Sequence, residues 1–271
     1  MIPFDFEYYR PDSLDGAIEL FHSLDDKKTE IFCGGTEFIT FARNNQLTAD
    51  AVIDIKCIPE CRVLNNGSDQ VTLGTALTLN EIIESEAFPL LGETIRRIAD
   101  HTSRNKITIG GHLNSRLIYR EGILPLLLSD AVLKVAGKNG VRIIPLNGFK
   151  PKSDDILLQI IVDKKYAGLP FAHYKKTRFS KVGYPLVTIA AIKEGNKICA
   201  AISGVCTTPF RSKEVETILN DSSLPSTNRI EKALEHLPAP IIEDFQGSAD
   251  YRKFILKNGL LKVLNDLEAS K

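Results

Sequence analysis

The chain has 271 residues and a mass of 30.0 kDa, with 43% hydrophobic and 25% charged residues, enough to bury one large core or two modest ones. Thirty-four Lys and Arg balance thirty-four Asp and Glu, which argues against a nucleic acid or an anionic membrane surface as the main partner. No apolar run reaches the roughly 18 residues of a membrane span, and the opening Met1-Ile2-Pro3-Phe4-Asp5-Phe6-Glu7 lacks the profile of a secretory signal. A cytoplasmic protein is expected. Its five cysteines, Cys33, Cys57, Cys61, Cys199 and Cys206, are odd in number and scattered, which does not fit a disulfide framework. Cys57 and Cys61 offer half of a metal-ligand spacing, but the other half is missing and no cysteine run matches an iron–sulfur cluster. Reduced, mostly buried thiols and no metal are expected.

In chain order, Pro11 and Ser13 open a helix with Leu14, Ala17, Ile18 and Phe21 on one face. A short strand, Glu30 to Cys33, runs into Gly34-Gly35-Thr36, and a second helix carries Phe38, Ile39, Phe41 and Ala42. Ala51 to Ile55 is the next strand, completing a strand–helix–strand unit. Residues 62 to 75 read as a hairpin turning at Asn65-Asn66-Gly67, and Thr78 with Glu81 reads as a capping box. Leu90 to Ala99 and Leu124 to Leu128 are helical, on either side of Thr108-Ile109-Gly110-Gly111. A second hairpin pairs Ala131–Ala136 with Val141–Ile144 over Lys138-Asn139-Gly140, and Ile156 to Val162 is a buried strand. Asp163 to Pro170 reads as a linker. Beyond it, Leu186–Ile192 and Lys197–Val205 form a hairpin, and helical patterns end with Ala249 to about Leu267, which Asn258-Gly259 threatens to interrupt. The order predicts two α+β units rather than one doubly wound sheet.

Two features suit an anion. Gly34-Gly35-Thr36 lies between a strand and a helix, where glycines admit a close approach and helix-start amides donate, with the Thr36 hydroxyl adding a bond. Thr108-Ile109-Gly110-Gly111-His112 is a second such turn, and the two together suit a diphosphate gripped by backbone amides from both sides. Both are equally readable as plain turns. Neither is a Walker loop or a dinucleotide fingerprint. His22, His101, His112, His173 and His236 show no metal-ligand spacing, no nucleophile elbow occurs, and the carboxylate pairs Asp154-Asp155 and Glu243-Asp244 read as loop or cap residues. The basic run from His173 to Lys181 fits a solvated edge strand, or a face toward an anionic cofactor or a partner.

Several segments fall in a telling order: Phe6-Glu7-Tyr8-Tyr9-Arg10-Pro11, Cys33-Gly34-Gly35-Thr36-Glu37, Ile98-Ala99 with Arg104-Asn105, and Thr108 to Gly111. Leu126 to Ala131, Tyr174-Lys175 and Gly247 to Arg252 follow them. Taken together, these segments resemble the FAD-binding medium subunit of the molybdenum hydroxylases, the xanthine dehydrogenase and carbon monoxide dehydrogenase group. The resemblance implies an α+β fold: a two-subdomain FAD-binding domain of the PCMH type over residues 1–165, then a small α+β domain of the carbon monoxide dehydrogenase flavoprotein type over 170–271. Carried over by position, Ile31, Phe32, Cys33, Gly34, Gly35, Thr36, Glu37 and Phe38 wrap the diphosphate, and Thr108, Ile109, Gly110, Gly111 and His112 grip its other side. Ile98, Ser115, Glu121, Leu157 and Lys175 surround the flavin or its adenosine part. The implied partners are a small [2Fe–2S] subunit and a large molybdenum-cofactor subunit, with NAD+ or another acceptor taking the electrons. A flavin-depleted interaction subunit of the same fold is the alternative, and a stand-alone flavin oxidase lacks a candidate base.

The chain departs from that pattern at Ile107 (usually Gly), His112 (Asn), Glu121 (Asp), Leu117-Ile118 (Ser-Pro) and Gly183 (Asp), and the connection from Phe149 to Asp154 is short. A weakened flavin site is the expectation, with Ile107 strained wherever a glycine-type backbone is required and His112→Asn and Glu121→Asp tightening it.

Overall fold

The protein is described from a computed structural model over residues 1–137, 140–149 and 155–270. In chain order come β1 (Glu7–Tyr9), α1 (Leu14–Ser23), β2 (Thr29–Phe32), α2 (Thr36–Arg43), β3 (Ala51–Asp54), β4 (Leu64–Asn66), β5 (Gln70–Gly74) and α3 (Leu79–Ser85). Next are α4 (Pro89–Arg96), α5 (His101–Arg104), α6 (Ile109–Leu113), α7 (Ile123–Leu128), β6 (Val132–Gly137), β7 (Gly140–Pro145) and β8 (Ile156–Asp163). The last stretch holds β9 (Phe171–Thr177), β10 (Pro185–Glu194), β11 (Lys197–Ser203), β12 (Phe210–Arg211), α8 (Lys213–Leu219), α9 (Ser226–Leu234) and α10 (Ala249–Ala269). These elements form two compact units: Met1–Ala87 with His101–Ser115 and Asp130–Lys164, and Phe88–Asp100 with Arg116–Ser129 and Lys165–Lys271.

The first unit holds two sheets. One is parallel, in the order β1-β3-β2, and the other is antiparallel, in the order β4-β5-β8-β6-β7. A shared core of Ala17, Leu24, Ile53, Ile55, Ile58, Cys61, Ile156 and Leu158 joins α1, the parallel strands and β8. Local chemistry sets the helix starts. Ser13 accepts from the Gly16 amide at the head of α1, and Thr78 with Glu81 forms the predicted capping box on α3. The first hairpin turns one step later than expected: Asn65 and Asn66 lie in β4, and the Gly67 amide closes the turn onto Gln70 O at 3.1 Å. Lys138, Asn139 and Asp154, with the short connection before it, lie outside the described residues.

The second unit is built on one antiparallel sheet, β12-β11-β10-β9. Ile189, Ile202, Ile230, Leu256, Leu260 and Leu264 lie in its core, shared by the sheet, α9 and α10. α10 runs unbroken through Asn258-Gly259, against expectation. The glycine serves packing: a Cβ there would stand 2.6 Å from Tyr174 Cδ1 and 2.8 Å from Ile189 Cδ1. Side chains alternate along β9, so Tyr174 faces α10 while His173 and Lys175 face the opposite side. Within the expected linker, Lys164–Gly168 forms one tight helical turn with Tyr166 buried.

Candidate functional site

In the first unit, β2 ends at Phe32 and α2 starts at Thr36, at the carboxyl edge of a parallel sheet, where α/β folds place ligands. Gly35 is the N-cap of α2 at φ 71°, a left-handed conformation natural to glycine, and no side chain caps the helix. Gly34 is needed for closeness: a Cβ would fall 2.2 Å from Lys106 O and 3.0 Å from Thr108 N, so the first loop lies directly on the segment leading to the second. Ile31 packs against the core, while Phe32 and Phe38 meet edge-on at 5.7 Å. Cys33 is buried, and burial pushes its thiol up. Its Sγ faces Thr75 O at 3.8 Å.

The second glycine segment forms the short helix α6. Thr108 is its N-cap and accepts from Gly111 N–H at 3.3 Å. Ile109 N–H donates to Leu77 O, Gly110 N–H to Thr75 O and His112 N–H to Thr108 O, each at 2.9 Å. The amides of Ile109, Gly110 and His112 are thus bonded internally. The glycines of this segment provide proximity: a Cβ on Gly110 would meet Thr75 Cβ at 2.5 Å. Ile107 does not carry the expected strain, because it is absent from the non-glycine residues with positive φ among the described residues, which are Asn45, Glu86, Ala99, Arg120 and Asp130.

Thr75, which sequence reasoning missed, ties these pieces together. Its hydroxyl donates to Leu157 O at 2.7 Å and its amide to Leu158 O at 3.0 Å, while its carbonyl accepts from Gly110. Ser115 Oγ donates to the Glu37 carboxylate, linking the two loops a second time. The structure therefore brings Ile31 to Phe38, Thr108 to His112, Ser115 and Leu157 into one neighbourhood of the first unit. Only the threonine-after-strand pattern at Thr75 was available as a signal, and it is too common to single out.

Ile98, Glu121 and Lys175 belong to the second unit. Glu121 is buried, accepts from Thr188 Oγ1 at 2.7 Å, and pairs with Lys175 Nζ at 3.0 Å. Desolvation raises the Glu121 carboxyl above its ordinary range, against the pull of Lys175 and Thr188. Lys175 also donates to Arg97 O at 2.7 Å, next to buried Ile98. His173, two residues before Lys175 on the same face, has both ring nitrogens buried without a hydrogen-bond partner. Burial, reinforced by Arg97 and Lys175, pushes its imidazole down to about 3, so it is neutral at working pH. Among the described residues, no group of three or more His, Cys, Asp or Glu is placed to hold a metal.

Residues 4–162 match the family model described as the FAD binding domain in molybdopterin dehydrogenase. The chain belongs to this family. Residues 172–267 match a second model, the CO dehydrogenase flavoprotein C-terminal domain. The chain is 26% identical to the carbon monoxide dehydrogenase medium chain of Hydrogenophaga pseudoflava, over 98% of each chain. It is 28% identical to the glyceraldehyde dehydrogenase medium chain of Sulfolobus acidocaldarius, over 98% of this chain and 100% of the relative. It also superposes on a solved structure of the Hydrogenophaga carbon monoxide dehydrogenase with a TM-score of 0.89 at 26% identity, over 99% of both chains.

The expected α+β architecture, the oxidoreductase family and FAD as cofactor are all supported by these matches. The start of α2 is compatible with an anionic group of the cofactor, since Gly35 caps the helix in a left-handed conformation and no side chain occupies the cap. No helix among the described residues is long and apolar enough to cross a membrane.

Proposed function

We propose that this chain is the flavin-carrying electron-transfer subunit of a molybdenum hydroxylase complex. The observation that carries the reading is the glycine cradle at Gly34-Gly35-Thr36, set at the carboxyl edge of a parallel sheet inside a chain of this family. Bound FAD supplies one- and two-electron redox chemistry. The chain's own residues hold and orient it, with the loop from Ile31 to Phe38 taking the diphosphate and Thr108 to His112, Ser115 and Leu157 shaping the other side. Ile98, Glu121 and Lys175 are proposed flavin contacts on the family pattern. Residues 1–165 serve as the FAD-binding domain and 170–271 as the smaller C-terminal domain. A small [2Fe–2S] subunit and a large molybdenum-cofactor subunit supply the electrons, NAD+ or another acceptor removes them, and the complex works in the cytoplasm. No described residue is required as an acid or base.

Affinity isolation of the chain from its native host tests this reading. A yellow complex containing an iron–sulfur subunit and a molybdenum subunit is expected. A folded, colourless chain, with or without those partners, would favour a flavin-free interaction subunit and overturn the assignment.

A further inference from the structure

The carbonyls of the first glycine loop are held by the protein's own donors. Phe32 O accepts from Ile55 N–H at 3.0 Å, Cys33 O from the Lys56 ammonium at 2.9 Å, and Gly35 O from Ile39 N–H at 2.9 Å. A trans peptide is planar, with its C=O and N–H on opposite sides. Fixing Cys33 O on Lys56 therefore turns the N–H of Gly34 away from Lys56, as fixing Phe32 O does for the N–H of Cys33. The Cys33–Gly34 peptide differs from its neighbours because a side chain anchors it.

That side chain is itself held from several directions. The Lys56 ammonium pairs with Asp54 at 2.6 Å and stands 4.6 Å over the Phe32 ring. Asp54 is 1% exposed and also accepts from the Tyr8 hydroxyl and from Lys56 N–H at 3.0 Å. Parallel pairing sets Phe32 opposite Asp54, which brings Lys56, two residues past the end of β3, beside Cys33. The Phe32 ring in turn lies over Gly35, where a Cβ would meet it at 2.2 Å. Nothing in the sequence pattern singles Lys56 out.

We propose that Lys56 is a positioning residue for the FAD diphosphate, fixing the Cys33–Gly34 peptide so that the Gly34 amide faces the anion. The inference rests on the reading of this loop as the diphosphate cradle. Lys56 acts through Cys33 O, and Asp54 and Tyr8 keep its ammonium in place. A lysine here without that peptide contact would attract an anion by charge alone, and an arginine able to reach Cys33 O would replace it.

The test titrates the full chain with FAD, ADP and riboflavin, following flavin fluorescence and ADP competition. Lys56→Met keeps the stem against Phe32 and removes the donor, and is expected to weaken FAD and ADP about tenfold. Riboflavin, which has no diphosphate, stays within about twofold, and Lys56→Arg restores FAD to within about threefold of wild type. The Gly34 amide resonance of 15N-labelled protein should move on adding ADP to wild type and, with each protein saturated, move less in Lys56→Met. Should Lys56→Met fail to fold, Tyr8→Phe loosens Asp54 alone and is expected to weaken FAD about threefold. Unchanged FAD affinity in Lys56→Met, or an equal loss of riboflavin and FAD, would overturn the role of Lys56 while leaving the cradle intact. Absence of any FAD or ADP binding by wild type would instead bring down the cradle reading and this inference with it.

Discussion

Two buried groups in the second unit carry residue-scale predictions. His173 takes a proton near pH 6.5 when exposed but is held down to about 3 in the fold. Between those values the unfolded chain binds more protons, so stability is complete above about pH 6.5 and falls by about 1.4 kcal/mol per unit as the pH drops through the window. Urea denaturation at pH 7 and pH 4.5 should therefore show wild type losing ground relative to His173→Gln by about 3 kcal/mol. Parallel pH dependence in the two proteins would refute the assignment. The second group is the Glu121–Lys175 pair, with side chains each 5% exposed. Lys175→Met strands a buried carboxyl and should cost about 3 kcal/mol, part of which Glu121→Gln in the same chain restores. If single and double variants melt together, the pair is not coupled. The same geometry bears on the expectation that Glu121→Asp would tighten flavin binding. The longer side chain spans Thr188 and Lys175 at once, so the shorter one should release a partner and destabilise the unit by about 1 kcal/mol.

At the scale of elements, α10 shows packing overriding propensity. Gly259 in a helix interior costs roughly 1 kcal/mol against alanine. Yet the alanine Cβ would press on Tyr174 and Ile189 closer than atoms normally approach. Overpacking costs about 1–3 kcal/mol, more than the propensity gain. Gly259→Ala is thus expected to lower the melting temperature, and a rise would show that the sheet yields to the added methyl. The cap at Thr78 illustrates the opposite case, because its whole mechanism is local and needs only Thr78 and Glu81.

At the scale of the whole molecule, neither compact unit is a continuous stretch of chain. Phe88–Asp100 and Arg116–Ser129 belong with Lys165–Lys271, and they supply α4, α7 and the carboxylate that pairs with Lys175. Arg211 donates to Leu127 O at 3.0 Å and Leu128 O at 3.3 Å, fixing α7 against the sheet. A fragment of residues 165–271 lacks these pieces and leaves one sheet face and Lys175 uncovered. It should show dispersed amide resonances only when the missing segments are restored in the full chain. A well-dispersed spectrum from the fragment alone would show that α4 and α7 are dispensable.

The sequence by itself determined what depends on near neighbours. Helix starts at Ser13 and Thr78, hairpins joined by glycine turns, and a strand–Gly-Gly–helix loop follow from side chains reaching a few residues along the chain. The ordered motifs likewise carried the family, since such a likeness needs no coordinates. Tertiary structure decided everything that turns on distant residues. It showed the amides of Ile109, Gly110 and His112 bonded within the first unit, Ile107 unstrained, Gly259 packed inside a helix, and Thr75 and Lys56 against the glycine loops. A one-dimensional pattern records which residues have donors and acceptors. Which donor meets which acceptor is set by strand register and by how sheets and helices stack, and those are properties of the folded chain alone.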